Sequence, residues 1–577
     1  MTQSCIDHHI TRLLILMVVG LTSWRFSGLL FARTTTRRVF RFQVVFQRPI
    51  ATSTGSLLAT FTGVATRGGQ VEVRVKKIQD SPNITSIANQ RNTRSLSTDN
   101  RPTRSFEQTE LRDVQQRSTC SRPNSLRDNI VFQLVDVQES PQESGDLFMY
   151  GVTKSGNSVL ATITGYKPYL YAYPKSISGD EQDVEVALKA HLHDLGLGDR
   201  GIDIGVVVDG PNNQSKISSL IFNGCISHTR KLQLLEDAGL YKFVDPQTDV
   251  VTRFLADYQL PGMGGWIECP AGGYALTKIS DQASRCQIEL AIPHDALNAS
   301  DPGNSNAPLR ILYFDIESMT RKDPKKPGNF ISESLQDPVI QISNIVSHPG
   351  ECKTKDPFLR VIFTVGSCDP IEGAYVQSYA SEKEMLAAWQ QFTHDVDPDV
   401  LTGWNILNFD LEYLITRSRQ LDFNLRLGRL KDGPPTSSEP QEWYSLKYKH
   451  WMGRMVPIPG RVVLDMFRHF ACNHDKFKLS SYGLGNVAAK LLGDMPGMLK
   501  GDVAYSDIPK LQAGPDANSS TRRQLAVYCL QDSYIPLVLQ HKYHILEEYI
   551  ETGKTKRMLF RHMMYREPLV KKLAKST

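Results

Sequence analysis

Acidic residues are absent between His8 and Val71, and C-x-x-C cysteine pairs are absent throughout the 577 residues. The nine cysteines, at 5, 120, 225, 269, 286, 352, 368, 472 and 529, are scattered, which excludes a zinc ribbon and a dense disulfide framework and suits a reducing compartment. Long apolar runs are scarce too. The run LLILMVVGLTSW at 13–24 falls short of the roughly 20 residues that cross a bilayer, so no stable membrane association is expected. Net charge is small, +5, and unevenly spread: residues 1–128 hold 19 Lys and Arg against 8 Asp and Glu, and the rest of the chain 47 against 53. Overall basicity therefore says nothing about the folded part, and any nucleic-acid function must rest on particular sites.

What is present divides the chain. Residues 1–128 are rich in Arg, Ser and Thr; their acid-poor character resembles an organelle transit peptide, their apolar run resembles a signal sequence, and mispredicted upstream sequence remains an equal alternative. From Asp80 to Arg127 the chain buries little and is expected to be disordered. Order is expected from residue 129. The segment 147–174 shows two alternating runs around a KSGN turn, then Tyr169, Tyr171 and Tyr173 at period two; the tyrosines read as packing residues ahead of a base-stacking row. Further strands are expected at 272–280 and 286–292, giving a β-rich domain over 129–307.

From Leu309 strands and helices alternate, the mark of an α/β layer fold. The pattern predicts strands at 309–317, 338–346, 359–365, 399–405 and 461–467. It predicts helices at 381–392, 410–420, 479–492 and 521–549, the first opened by the capping pair Ser381 and Glu384. A turn-rich insert occupies about 429–460.

Within this unit Asp315 and Glu317, in YFDIES, share one face of a strand and repel each other. A divalent cation, Mg²⁺ or Mn²⁺, makes such a pair tolerable, because hard carboxylate oxygens coordinate it. More acids should then converge. Asp410 opens a helix after a strand, and Tyr528 and Asp532 lie one helical turn apart on one face. Taken singly, each has a bland explanation: a solvated strand end, an acid favoured by the helix dipole, a buried tyrosine near a surface acid. Their occurrence together and in this order is what singles them out.

The order FDIE, N-x-x-N-F-D, Y-x-x-x-D resembles the three motifs of the 3′–5′ proofreading exonuclease of family B DNA polymerases, the DEDDy type. The flanks DPVIQIS, NFDLEYLITR, GRVVLDMF, KLSSYGL and RRQLAVYCLQDSYIPL, with WIECPAGGY and SRCQIEL upstream, are similar to the delta branch of that family, over about residues 130–545. The resemblance implies an RNase H-like DEDDy exonuclease domain at 308–548, preceded by the family's β-rich N-terminal domain at 129–307. It implies that Asp315, Glu317, Asp410 and Asp532 bind two Mg²⁺ or Mn²⁺ ions and that Tyr528 orients the attacking water. A phenol with an ordinary pKa of about 10 suits a hydrogen-bonding positioner better than a base. Asn405, Asn408 and Phe409 would touch the substrate strand, while Asp465 is read as structural. The implied partners are a single-stranded 3′ end or primer-template DNA and other replicative subunits; the implied compartment is the nucleus, or an organelle if residues 1–70 are a transit peptide.

The insert resembles in position the family's strand-handling β-hairpin, with a different sequence. The palm motifs of SLYPS, K-x-x-x-N-S-x-Y-G and D-T-D-S type do not occur in these 577 residues, and 549–577 drift from the family pattern. The expectation is thus an N-terminal and exonuclease portion that shortens DNA without extending it; the alternative is a non-catalytic DNA-binding or scaffold fragment.

Overall fold

The computed structural model describes residues 128–140, 146–166, 249–303, 305–348, 359–445, 449–495, 498 and 503–565, with positions 186, 190, 193 and 194. For the strands within 25–81, 169–174, 203–221 and 241–244, and for 443–445 and 449–451, it describes backbone pairing alone. Between Arg25 and Ser81 five strands form one antiparallel sheet. No folded part was expected there. The strand period is carried by Phe40, Phe42, Val44 and Phe46, alternating along Val39–Gln47. The remainder of the expected extension lies outside the described residues.

The β-rich domain is a seven-stranded sheet with the spatial order Ala275–Leu276, Ile288–Pro293, Ser158–Thr164, Leu147–Thr153, Ile130–Glu139, Trp266–Cys269, Asn298–Ser300. The helix Val250–Asp257 covers its core, with Val251, Phe254 and Leu255 packed on Phe132, Leu134 and Ile267. Only Ala275–Leu276 of the expected strand 272–280 is a strand. The tyrosines at 169, 171 and 173 lie in Tyr169–Pro174, which pairs with Lys216–Ile221 and Tyr241–Val244; their side chains fall outside the described ones.

The α/β unit is built on strands β1 (Ile311–Ser318), β2 (Val339–Ser347), β3 (Leu359–Val365) and β4 (Tyr375–Tyr379), followed by helix α1 (Glu382–Val396), β5 (Val400–Gly403) and α2 (Asp410–Gln420). The hairpin β6 (Glu439–Ser445) and β7 (Lys449–Met455) leads to β8 (Val462–Asp465), α3 (Met466–Cys472) and α4 (Leu484–Leu492). Helices α5 (Ile508–Ala513), α6 (Ser519–Tyr543), α7 (Ile545–Lys556) and α8 (Phe560–Tyr565) complete the unit. The sheet order is β4-β3-β2-β1-β5-β8. β1 and β3 run antiparallel to β2, whereas β5 and β8 run parallel to β1, the mixed sheet of an RNase H-like fold.

Alternation along β1 decides which side chain goes where. Leu312, Phe314 and Ile316 enter the core with Met385, Trp389 and Phe392 of α1, each contributing roughly 1.5–3 kcal/mol by burial. Tyr313, Asp315 and Glu317 take the other face, toward α6; the Tyr313 hydroxyl donates to Gln540 Oε1 at 3.3 Å.

The ends of the elements follow local chemistry. Ser381 Oγ accepts from the Glu384 amide at 3.3 Å and Glu384 Oε2 accepts from the Ala380 amide at 3.1 Å, a capping box shifted by one residue. The expected helix 521–549 is two helices, because His544 adopts φ 50° and breaks the run. The segment after 548, whose sequence departs from the family pattern, is part of the fold as far as Tyr565: Leu559 joins the core of the β-rich domain, and Arg561 pairs with Asp136 at 2.6 Å. The apolar Leu559 and Phe560 explain this, since both are buried, Leu559 in the core of the β-rich domain and Phe560 against the Tyr549 ring. Among the described residues no helix is long and apolar enough to cross a membrane.

Candidate active site

Because β1, β5 and β8 are parallel, their C-terminal ends come together, and this is where polar residues of such sheets gather. β1 brings Asp315, half-buried, and Glu317, 7% exposed. The loop after β5 brings Asp410, at 1% exposure, as the first residue of α2. Its Oδ1 accepts the Ile316 amide at 3.0 Å, so the third carboxylate is clamped to the strand between the first two. α6 lies over this face and brings Tyr528, half-buried, and Asp532, at 4% exposure, one turn apart. Small residues permit the close approach: Ser343 Oγ of β2 lies 2.9 Å from the Cys529 carbonyl and 2.5 Å from Ser533 Oγ.

Burial at this site shows in protonation. Burial pushes the Asp410 carboxyl up to about 8, the Ile316 amide opposing and the nearby Asp465 and Asp532 charges adding to the rise. Oxygen and sulfur atoms of Asp315, Glu317 and Cys529 lie within 4.8 Å of one another. Sequence reading overlooked Cys529; an apolar-looking cysteine in a helix carries no signal of its own. Burial, then the Asp315 and Glu317 charges, hold its thiol well above the ordinary range. Its Sγ stands 3.8 Å from Asp315 Oδ2 as an S–H donor. The Asp315 and Glu317 carboxylates supply hard oxygen donors, which fit a hard divalent cation.

The loop that carries Asp410 is held from below. Asp465, fully buried, accepts the amides of Asn405 at 3.0 Å, Leu407 at 3.1 Å and Arg468 at 3.4 Å, and burial still pushes its carboxyl up to about 6. Asn405 adopts φ 64°, a left-handed conformation that asparagine tolerates. Asn408 Nδ2 donates to Asn405 Oδ1 at 3.0 Å, and Asn408 Oδ1 accepts the Arg454 amide of β7 at 3.1 Å. The hairpin is thereby fastened to the loop, and Arg454 adds a 3.1 Å ion pair with Glu412. Phe409, 37% exposed, packs on Tyr413.

An RNase H-like sheet with carboxylates converging at the end of its first strand defines a nuclease-type fold, and the comparisons with known proteins narrow it. Residues 241–487 match the family model for DNA polymerase family B, exonuclease domain. Tyr528 and Asp532 lie beyond that match. Over the matched stretch the chain is similar to the family B DNA polymerases. Across more of its length it is similar to DNA polymerase delta catalytic subunits. It is 32% identical to that of Schizosaccharomyces pombe, across 79% of this chain and 42% of the relative. To that of Oryza sativa subsp. japonica it is 34% identical, across 76% and 40%. To that of Candida albicans it is 33% identical, across 78% and 42%. The chain thus spans about two fifths of the length of these curated relatives.

Proposed function

We propose that this chain hydrolyses DNA from the 3′ end, removing nucleotides from a single strand or a mispaired primer terminus during replication. What supports this reading is the close pair Asp315 and Glu317 on β1, with Asp410 hydrogen-bonded to the amide between them and the charge of Asp532 acting on Asp410. We assign to these four carboxylates two divalent ions, Mg²⁺ or Mn²⁺. Such a pair, when bound, supplies an activated water and stabilises the leaving 3′ oxygen. Tyr528, one turn before Asp532, positions that water through its hydroxyl. Asn405, Asn408 and Phe409 line the path of the strand, with the loop geometry set by Asp465. The similarity to delta catalytic subunits supports other replicative polymerase subunits as partners and the nucleus as compartment.

The test is Asp315→Ala. Mg²⁺-dependent shortening of a single-stranded oligonucleotide should be lost while affinity for the oligonucleotide changes little. Undiminished shortening by the variant would overturn the assignment.

A further inference from the structure

Tyr505 is one of the most exposed large hydrophobic side chains among the described residues, at 63%. Its backbone, by contrast, is held. The hydroxyl of Thr320, itself 5% exposed, donates to the Tyr505 carbonyl at 2.5 Å, and the Asp507 amide closes a turn onto Ala504 at 2.8 Å. Two residues before it, Val503 packs with Met319 against the buried Ile340, Ile508 and Leu525. A tyrosine on a fixed backbone with its ring left in water forgoes burial that the neighbouring apolar cluster offers.

The placement of this ring matters. Thr320 lies three residues beyond Glu317, on the exit from β1. The same exit holds the other exposed aromatic of the region: the Ser318 and Ser332 hydroxyls are 2.7 Å apart, Ser332 is 2.8 Å from the Tyr413 hydroxyl, and Phe409 packs on Tyr413. The Tyr413 hydroxyl is fixed further by the Asp337 carbonyl at 2.7 Å. Phe409 and Tyr505 are therefore both tied to the short segment 318–320 that leaves the carboxylates, each through its own hydrogen-bonded support.

We propose that Tyr505 stacks on a base near the 3′ end of the bound DNA strand, as a positioning residue that works with Phe409. The proposal rests on the exonuclease reading above and deepens it. A nuclease that removes any of four nucleotides gains from contacts indifferent to base identity, and every base presents a flat π-face to an aromatic ring. One such stack contributes about 5- to 150-fold in affinity, by the usual effect of alanine substitution.

Single-turnover shortening of two oligonucleotides tests it, one with ordinary bases and one with abasic sites at the terminal and penultimate 3′ positions. With the ordinary strand, Tyr505→Ala should raise the half-saturating DNA concentration by about 5- to 150-fold with the maximal rate near wild type, and Tyr505→Phe should restore binding. With the abasic strand, wild type and Tyr505→Ala should coincide. Equal half-saturation on the ordinary strand, or the same loss on both strands, would overturn the stacking role. Should the wild-type chain bind DNA without shortening it, the hydrolytic reading falls, and the same comparison by fluorescence anisotropy still decides Tyr505.

Discussion

Asp410 sits where a charge is hardest to hold, at 1% exposure and close enough to Asp465 and Asp532 to feel both. The Ile316 amide fixes its direction, and a cation bound among the four acids would remove the repulsion. Tyr528 has a different task, to place a hydroxyl, and Tyr528→Phe separates that from packing because the ring remains. We predict that its single-turnover rate falls about ten- to a thousandfold, less than for loss of a metal-binding carboxylate. An unchanged rate would reduce Tyr528 to a core residue. The shared face of Asp315 and Glu317 was legible in strand alternation, and the one-turn spacing of Tyr528 and Asp532 in helical periodicity. Cys529, Ser343 and Ser533 were not, since each acquires its meaning only when α6 lies on the sheet.

At the scale of elements, the decisive piece is the loop between β5 and α2. Its start, Gly403, admits no side chain, because a Cβ there would stand 2.4 Å from the Phe314 carbonyl. Its middle hangs on Asp465, which the sequence marked only as structural and which the fold makes a positioning residue. Asp465→Asn keeps the volume but leaves one acceptor oxygen for amides that two oxygens now serve, and turns an NH₂ toward them. We predict a maximal exonuclease rate lower by about a hundredfold, the usual penalty for a misplaced catalytic group, with oligonucleotide affinity near wild type and no rescue by added Mg²⁺. Full activity would show that Asp410 is held adequately by Ile316 alone. Elements with strong local signals were read closely: α2 spans Asp410–Gln420 as its pattern implies. The break at His544 was missed because no glycine announces it, and the docking of α8 was missed because its partners in the β-rich domain lie hundreds of residues upstream.

For the described residues from 128 onward, the β-rich domain meets the α/β unit beside a cluster of buried charge that belongs to the α/β unit, and Leu430 packs there with Phe148, Tyr150, Leu160 and Cys286. Segment 283–285 pairs with 429–431: the Arg285 amide donates to the Arg429 carbonyl at 2.8 Å, and the Lys431 amide to the Ala283 carbonyl at 2.8 Å. The Arg429 side chain, fully buried, then reaches Asp397 at 2.8 Å and Asp399 at 2.6 Å, while Arg461 joins Asp397 at 2.8 Å. Asp399 also accepts the Arg310 amide at 2.7 Å, just ahead of β1, so the charge cluster continues into the strand that carries Asp315 and Glu317. Removing the Arg429 guanidinium takes from the Asp399 carboxylate, at 0% exposure, its 2.6 Å ion pair, and breaking a buried pair in this way costs about 3–5 kcal/mol. We therefore predict that Arg429→Met lowers the urea midpoint of unfolding by an amount equivalent to that range, and that Arg429→Lys, which keeps the charge but cannot fork between two acids, recovers only part of it. A midpoint unchanged in Arg429→Met would mean that Asp399 takes up a proton at little cost. The segment 429–431 would then be held in place by its backbone pairing with 283–285 rather than by the ion pairs of Arg429.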